Sequence, residues 1–234
     1  MTIEELAEQT IRAGTAWNDT MKNRFQTYAI LLNQWNQKMN LTAVDQPEEV
    51  YEKHFLDCIL PLKTEFPGKR VCDVGSGAGF PGLVFAIADP SLEVTLVEPT
   101  GKRCRFLEAV CSELSLDNVT VVNARAEDYA EDHRESFDVV TARAVASLPV
   151  LSELCIPLVR KNGIFLAMKA EKGMAEAEEG AFAVKALGCR LSDVMKESLP
   201  DGSVRINLVY AKEKNTPPQY PRPYAKIKKK PLGL

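Results

Sequence analysis

The chain has 234 residues, of which 45% are apolar and 26% charged, so it is long enough and apolar enough to fold around one sizeable core. It has no apolar run long enough to cross a bilayer, no signal-peptide pattern and no C-x-x-C pair among its six cysteines, so we expect a cytosolic protein with reduced thiols and no metal site. The net charge of −3 excludes a surface that is basic overall, so a nucleic acid would have to bind a local basic patch.

The N-terminal third of the chain has the apolar spacing of helices. Residues 2–14 place apolar side chains on one face, and a second helix is predicted from about Asp19. Its apolar stripe, residues 21–39, is most simply explained as core packing. We therefore expect residues 1–66 to form a helical segment that packs on the rest of the molecule.

A third helix is predicted to begin at Asp45, which is a plausible cap, and to end at Pro61. His54 and Asp57 lie three residues apart on this helix and so share a face. Such a pair can carry out proton chemistry, or it can fix a helix against its neighbour. Both interpretations stay open at the level of sequence.

Residues Arg70 to Gly82, RVCDVGSGAGFPG, predict a short buried strand, a glycine-rich turn and the start of a helix. Gly75, Gly77 and Gly79 leave the backbone uncovered, so a ligand can approach it closely, and the helix start offers unpaired N–H groups. The sequence therefore predicts a ligand-binding loop at the carboxyl edge of a sheet.

The identity of that ligand depends on two neighbours of the glycines. Gly77, Gly79 and Gly82 match the G-x-G-x-x-G spacing of a dinucleotide site. Asp73, however, would repel a pyrophosphate and attract the sulfonium and ammonium groups of S-adenosylmethionine, and Pro81 has no N–H to offer a phosphate. The pattern resembles the first motif of class I methyltransferases and favours S-adenosylmethionine over a nicotinamide or flavin cofactor.

The next two predicted strands supply further candidate contacts for this cofactor. The second strand, residues 93–98, ends in Glu98, about twenty residues past the glycine turn, where an acid accepts hydrogen bonds from ribose hydroxyls. The third strand, residues 119–123, leads to residues 124–128, where a backbone N–H and a carboxylate could flank an adenine.

The fourth strand, residues 137–141, leads to Arg143. Ligands of doubly wound sheets bind outside the carboxyl ends of the strands, so Arg143 is predicted to point at the transfer site. A plainer alternative is an ion pair between Arg143 and Glu127 or Asp128.

A fifth strand over residues 163–168 and a closing antiparallel pair over residues 189–199 and 204–211 complete seven strands. We expect an α/β fold with a doubly wound, Rossmann-like sheet of the class I methyltransferase type. Residues 67–213 would form this domain, and residues 1–66 its N-terminal helical appendage.

The C-terminal segment, residues 214–234, is rich in proline and carries six bases and no acid, which leaves a charge of −9 on the rest of the chain. We expect it to be extended and to bind single-stranded RNA through its basic side chains and the rings of Tyr220 and Tyr224. The alternative is a terminus that only increases solubility. The basic residues predicted to contact RNA are Lys102, Arg103, Arg222, Lys228, Lys229 and Lys230.

Several short motifs, in order from the first third of the chain to its end, resemble one family, the bacterial small-subunit ribosomal RNA methyltransferase G family, also called glucose-inhibited division protein B. They are Asn40-Leu41-Thr42, His54-Phe55-Leu56-Asp57, Asp73 to Gly82, Gly101-Lys102-Arg103 with Phe106-Leu107, Arg143-Ala144, Tyr220-Pro221-Arg222 and Lys229 to Leu232.

The resemblance implies methylation of guanine N7 in 16S ribosomal RNA, with S-adenosylmethionine as cofactor and the small ribosomal subunit as partner. We expect a monomer that needs no metal and binds no membrane. Arg143 would be the catalytic residue, and one departure from many relatives is Glu98-Pro99-Thr100, where they have Asp-Ser. The alternatives are a methyltransferase of a small molecule or protein, a dehydrogenase on the same fold, and a ribosome-binding factor without turnover. Taken together, the motif and the resemblance assign cofactor contacts to Asp73, Gly75, Gly77, Gly79, Phe80, Glu98, Ala126, Glu127 and Arg143.

Overall fold

The structure is a computed structural model that describes residues 1–44 and 46–234. A seven-stranded sheet with the strand order β3-β2-β1-β4-β5-β7-β6 runs through its centre. The five strands from β3 to β5 are parallel, while β7 is antiparallel to both β5 and β6. The predicted doubly wound α/β fold is therefore confirmed. The strands are β1 (Arg70–Val74), β2 (Glu93–Val97), β3 (Val119–Val122), β4 (Phe137–Arg143), β5 (Val159–Ala170), β6 (Cys189–Ser198) and β7 (Val204–Lys212).

Helices cover both faces of the sheet because its strands are apolar on both sides. The N-terminal helices with α5 and α6 form one core, in which Phe25, Phe55 and Phe106 are fully buried. The other core lies between the sheet and α7, α8, α9 and α10. The helices are α1 (Ile3–Arg12), α2 (Asp19–Met39), α3 (Pro47–Val50), α4 (Asp57–Ile59), α5 (Gly82–Ala88), α6 (Gly101–Leu114), α7 (Ala126–Asp132), α8 (Leu148–Cys155), α9 (Gly173–Ala186) and α10 (Tyr224–Lys229).

The predicted third helix has an irregular centre. A π-helical segment, Tyr51–Leu56, joins α3 to α4, and a 3₁₀ turn, Leu60–Lys63, follows. Segments of π-helix inside longer helices often occur at functional sites because they redirect side chains. The predicted cap Asp45 lies outside the described residues.

The prediction of an extended C-terminal segment is wrong for residues 224–229, which form α10. Ile227 of this helix is fully buried in the second core, where Tyr220, Tyr224 and Leu232 also pack. The apolar contacts outweigh the proline-rich composition, and Pro223 at the N-cap position is compatible with a helix start. None of the helices within the described residues is both long and apolar enough to cross a membrane.

Candidate active site

The glycine turn lies at the switch point of the sheet, where β1 has β2 on one side and β4 on the other. Gly75, Gly77 and Gly79 have φ values of +71°, +57° and +95°, which only glycine adopts without strain. A Cβ atom on Gly77 would meet nothing nearer than the Gly75 carbonyl oxygen at 3.8 Å. The backbone at Gly77 is therefore open to a ligand.

Asp73 is fully buried beneath this turn rather than exposed on it. Its Oδ2 accepts a hydrogen bond from the Gly82 N–H at 2.9 Å, while Oδ1 has no partner among the described residues. Burial raises the pKa of Asp73 to about 7, although the Gly82 N–H favours the ionised form. Asp73 can thus act on a bound cofactor through its charge, at a distance.

Glu98 follows β2 and faces the turn. Its two carboxylate oxygens accept the N–H groups of Gly77 and Thr100, both at 2.9 Å. Each oxygen keeps a second lone pair, so the carboxylate can still accept ribose hydroxyls. The Arg103 guanidinium lies 3.9 Å from Glu98 Oε1. Two other predicted cofactor contacts, Ala126 and Glu127, are buried at the start of α7. These features fit S-adenosylmethionine: a negative charge under the turn, an open glycine and a carboxylate beyond the second strand.

Arg143, at the end of β4, is the centre of a polar network. Its Nη1 donates to Asp57 Oδ2 at 2.8 Å, and its Nη2 lies 3.1 Å from His54 Nδ1. The guanidinium also stacks over the Phe80 ring at 4.8 Å, which links it to the glycine turn. The alternative ion pair with Glu127 or Asp128 is wrong, because Arg143 pairs with Asp57 at the start of α4 instead.

Asp57 also binds a second arginine. Its Oδ1 accepts from Arg205 Nε at 3.1 Å, and the carboxylate is only 5% exposed. Sequence analysis did not single out Arg205, since no local pattern marks it. Two guanidinium groups thus share one carboxylate, and each of its oxygens accepts a hydrogen bond from one of them.

His54 is held as a neutral ring. Its Nδ1 lies 3.1 Å from Arg143 Nη2 and 3.0 Å from the Lys53 carbonyl oxygen, and its Nε2 lies 2.8 Å from Thr42 Oγ1. Burial, together with the charge of Arg143, lowers the pKa of His54 to about 3. These contacts support the helix-fixing interpretation of the His54 and Asp57 pair.

A cavity of about 770 Å³ opens beside this network, over the carboxyl ends of β4 and β5. Its volume is that of a small-molecule site. The glycines of the turn are absent from its described lining, so the turn and the cavity lie on two sides of the loop of residues 144–147. The lining includes Lys53, His54, Asp57, Arg143 to Ser147, Met168, Lys169, Glu176 and Arg205.

The residues predicted to bind RNA lie in different environments. Lys102, Lys228, Lys229 and Lys230 are exposed, and Arg103 is half-buried beside Glu98. The Arg125 guanidinium lies 5.7 Å from the centre of the Tyr224 ring, which places an additional positively charged side chain beside α10.

Arg222 has a different role from the one expected. Its guanidinium makes two hydrogen bonds, of 2.8 and 2.6 Å, to the fully buried carboxylate of Glu153. The same guanidinium also donates to the Lys230 carbonyl oxygen. The prediction that Arg222 contacts RNA is therefore corrected: this side chain fastens the C-terminal segment to α8.

Comparison with known proteins agrees with this geometry. A family model described as rRNA small subunit methyltransferase G matches residues 21–203. Curated relatives named ribosomal RNA small subunit methyltransferase G, from Staphylococcus aureus strains RF122 and Newman, are 45% identical over 99% of both chains. The chain belongs to the rRNA small subunit methyltransferase G family. Membership confirms the predictions of a methyltransferase and of S-adenosylmethionine as its cofactor, and it excludes the dehydrogenase alternative.

Solved structures outside the rRNA small subunit methyltransferase G family share the fold. One is a 16S rRNA (adenine(1408)-N(1))-methyltransferase variant from Catenulisporales acidiphilia, with a TM-score of 0.52, 15% identity and coverage of 64% of this chain and 87% of that one. Another is the YcgJ protein from Bacillus subtilis, with a TM-score of 0.53, 16% identity and coverage of 69% and 100%. At this level of identity, the similarity shows the fold alone.

Proposed function

We propose that the protein transfers the methyl group of S-adenosylmethionine to N7 of a guanine in the 16S RNA of the small ribosomal subunit. Its relatives are named for methylation of small-subunit ribosomal RNA, and they match the chain over nearly its whole length. The observation that carries the proposal is the network around Arg143, because it supplies positioning groups and no base.

Methylation of guanine N7 needs no general base, because N7 already has a lone pair. This pair attacks the methyl carbon, the carbon–sulfur bond breaks, and its electrons return to sulfur. The guanine ring gains a positive charge and no proton leaves. A neutral His54 suits this reaction, since a ring with a pKa of about 3 does not accept a proton readily at neutral pH, and both oxygens of Asp57 are engaged by arginines.

Arg143 is placed to orient the acceptor. It lies between the Phe80 ring of the glycine turn and the cavity, and a guanidinium can donate two hydrogen bonds to a base edge or a phosphate. S-adenosylmethionine bound over the turn supplies an electrophilic methyl group. Good alignment of two reactants contributes roughly 7 to 11 kcal/mol to catalysis, so positioning alone accounts for a large rate enhancement.

The target guanine must be accessible. N7 faces the deep major groove of A-form RNA, which side chains cannot enter, so the base has to be unpaired or splayed out. The exposed lysines of α10 and its C-terminal end, Lys228 to Lys230, can then follow the backbone of the same RNA.

The test is incubation of the protein with methyl-labelled S-adenosylmethionine and small ribosomal subunits that lack the modification. The label is expected in the 16S RNA fraction after the subunit is separated into RNA and protein. Label confined to the protein fraction, or no transfer, would contradict the proposal.

A further inference from the structure

The loop of residues 144–147, between β4 and α8, separates the glycine turn from the cavity. Ala144 directly follows Arg143 and has a φ of +56°, a strained value for a residue with a Cβ atom. Val145 covers Gly75 so closely that a Cβ atom on this glycine would lie 2.7 Å from Val145 Cγ2. All four residues of the loop therefore line the cavity, and Val145 also contacts the glycine turn.

One buried ammonium group fixes the far end of this loop. Lys169, near the end of β5, donates from Nζ to the Ala146 carbonyl oxygen at 2.8 Å and lies 2.8 Å from Glu176 Oε2. The side chain of Lys169 is only 6% exposed. Glu176 also accepts the Leu148 N–H at 3.2 Å, so the same carboxylate holds the start of α8.

The burial of the Lys169 ammonium group costs free energy. An ammonium group loses much of its hydration when it is buried, and one carboxylate and one carbonyl return only part of that energy. Its contacts converge on the single loop that carries Arg143 at one end and covers Gly75 in the middle. A small shift of this loop would move both sides of the site relative to each other.

We propose that Lys169, held by Glu176, is a positioning residue for methyl transfer. It fixes residues 144–147 so that Arg143 and the acceptor cavity stay aligned with the cofactor over the glycine turn. It does this through the Ala146 carbonyl rather than by contact with the reacting atoms. The inference rests on the proposed function and adds the residues that set its geometry.

The test compares Lys169→Met and Glu176→Ala with the control Glu178→Gln, which changes an exposed carboxylate two residues further along α9. This control should keep its kcat within about threefold of the wild type. Lys169→Met and Glu176→Ala should lose roughly 10- to 100-fold in kcat, with the KM for small subunits within about threefold. Lys169→Arg should restore part of the loss.

A second measurement does not depend on activity. Hydrogen exchange followed by mass spectrometry should show faster exchange at residues 144–147 in Lys169→Met and Glu176→Ala than in the wild type and Glu178→Gln. Glu176 is 27% exposed, so its variant tests the idea even where Lys169→Met fails to fold. Unchanged exchange would overturn the inference independently of whether the wild type methylates RNA.

The kinetic outcomes also separate the alternatives. An increase in KM for subunits with an unchanged kcat would mean that Lys169 binds RNA directly, which overturns the positioning role. Wild-type kinetics in both Lys169→Met and Glu176→Ala would overturn it as well. Absence of transfer by the wild type itself would contradict the proposed function, while the exchange data would still decide whether Lys169 fixes the loop.

Discussion

Asp73 and Arg143 were both predicted to contact the cofactor, and their side chains lie in different environments. Asp73 is sealed under the glycine turn, whereas Arg143 faces both the Phe80 ring and the cavity. In the proposed function, Asp73 contributes a charge to the cofactor site, and Arg143 contributes hydrogen-bond donors toward the acceptor.

The charge of Asp73 predicts a pH-dependent affinity for S-adenosylmethionine. Burial raises its folded-state pKa to about 7, so the side chain gains its negative charge as the pH rises through 7. A cationic cofactor favours the ionised form, so calorimetry should show that its affinity increases several-fold from pH 5.5 to 7.5. Asp73→Asn should flatten this dependence.

The demethylated product S-adenosylhomocysteine is the matched ligand for this measurement, because it lacks the sulfonium charge. Its affinity should change less over the same pH range. Equal pH dependence of the wild type and Asp73→Asn would contradict the electrostatic role of Asp73.

Replacement of Arg143 tests its role toward the acceptor. Arg143→Ala should keep the affinity for S-adenosylmethionine within about tenfold and reduce kcat for methyl transfer by more than 100-fold, because the lost guanidinium orients the acceptor base. Calorimetry and labelled-methyl transfer measure the two quantities. Arg190→Ala, at an exposed pair with Glu213, is the control and should behave like the wild type. A large loss of cofactor affinity in Arg143→Ala would instead assign the residue to the cofactor.

The position of Arg143 could be predicted from the sequence, but its partners could not. The local pattern of apolar residues was enough to place Arg143 at the carboxyl end of a strand. Its partner Asp57 is the first residue of α4 and directly follows a π-helical segment, which has no sequence signature. Arg205 comes 148 residues after Asp57 and meets it only because β7 runs back antiparallel along β5.

At the level of elements, the order of strands and helices followed from the alternation of apolar runs and turns, whereas the C-terminal segment did not. Its proline-rich composition favoured an extended chain. The structure instead has α10 packed by Ile227, with Arg222 bound to the buried Glu153. Long-range contacts decided the conformation, and local composition does not contain them.

The contact of Arg222 with Glu153 should be important for stability. Removal of one partner of a buried pair leaves an uncompensated charge, so Arg222→Ala should lower the free energy of unfolding by about 3–5 kcal/mol in urea titrations. The exposed-pair variant Arg190→Ala should lose less than about 1 kcal/mol. Similar small losses in both variants would show that the C-terminal segment does not depend on this pair.

The lysines at the C-terminal end should contribute to RNA binding without affecting the fold. Replacement of Lys228, Lys229 and Lys230 by Gln leaves Ile227 and Arg222 in place, whereas truncation before Tyr220 would open the core. The slope of log K against log salt should fall by roughly 0.7 for each phosphate contact that is lost. Lys38→Gln, an exposed lysine of α2, is the control. An unchanged slope in the triple variant would restrict this segment to packing.

At the level of the whole molecule, the charge distribution predicts the form of the substrate. Residues 1–213 carry a net charge of −9, so they repel RNA outside the local basic patch. We expect assembled small subunits to be methylated at least about tenfold faster than protein-free 16S RNA at equal concentration. Initial rates of label incorporation measure this difference, and equal rates would contradict it.

The proposed function needs an acceptor atom that already has a lone pair, which restricts the atom that can receive the methyl group. The most direct measurement is complete digestion of 16S RNA from treated small subunits to nucleosides, followed by chromatography and mass spectrometry of the labelled product. All of the label should be N7-methylguanosine, and Arg143→Ala should form it more than 100-fold more slowly. Label in N2-methylguanosine or in N6-methyladenosine would contradict a reaction that releases no proton.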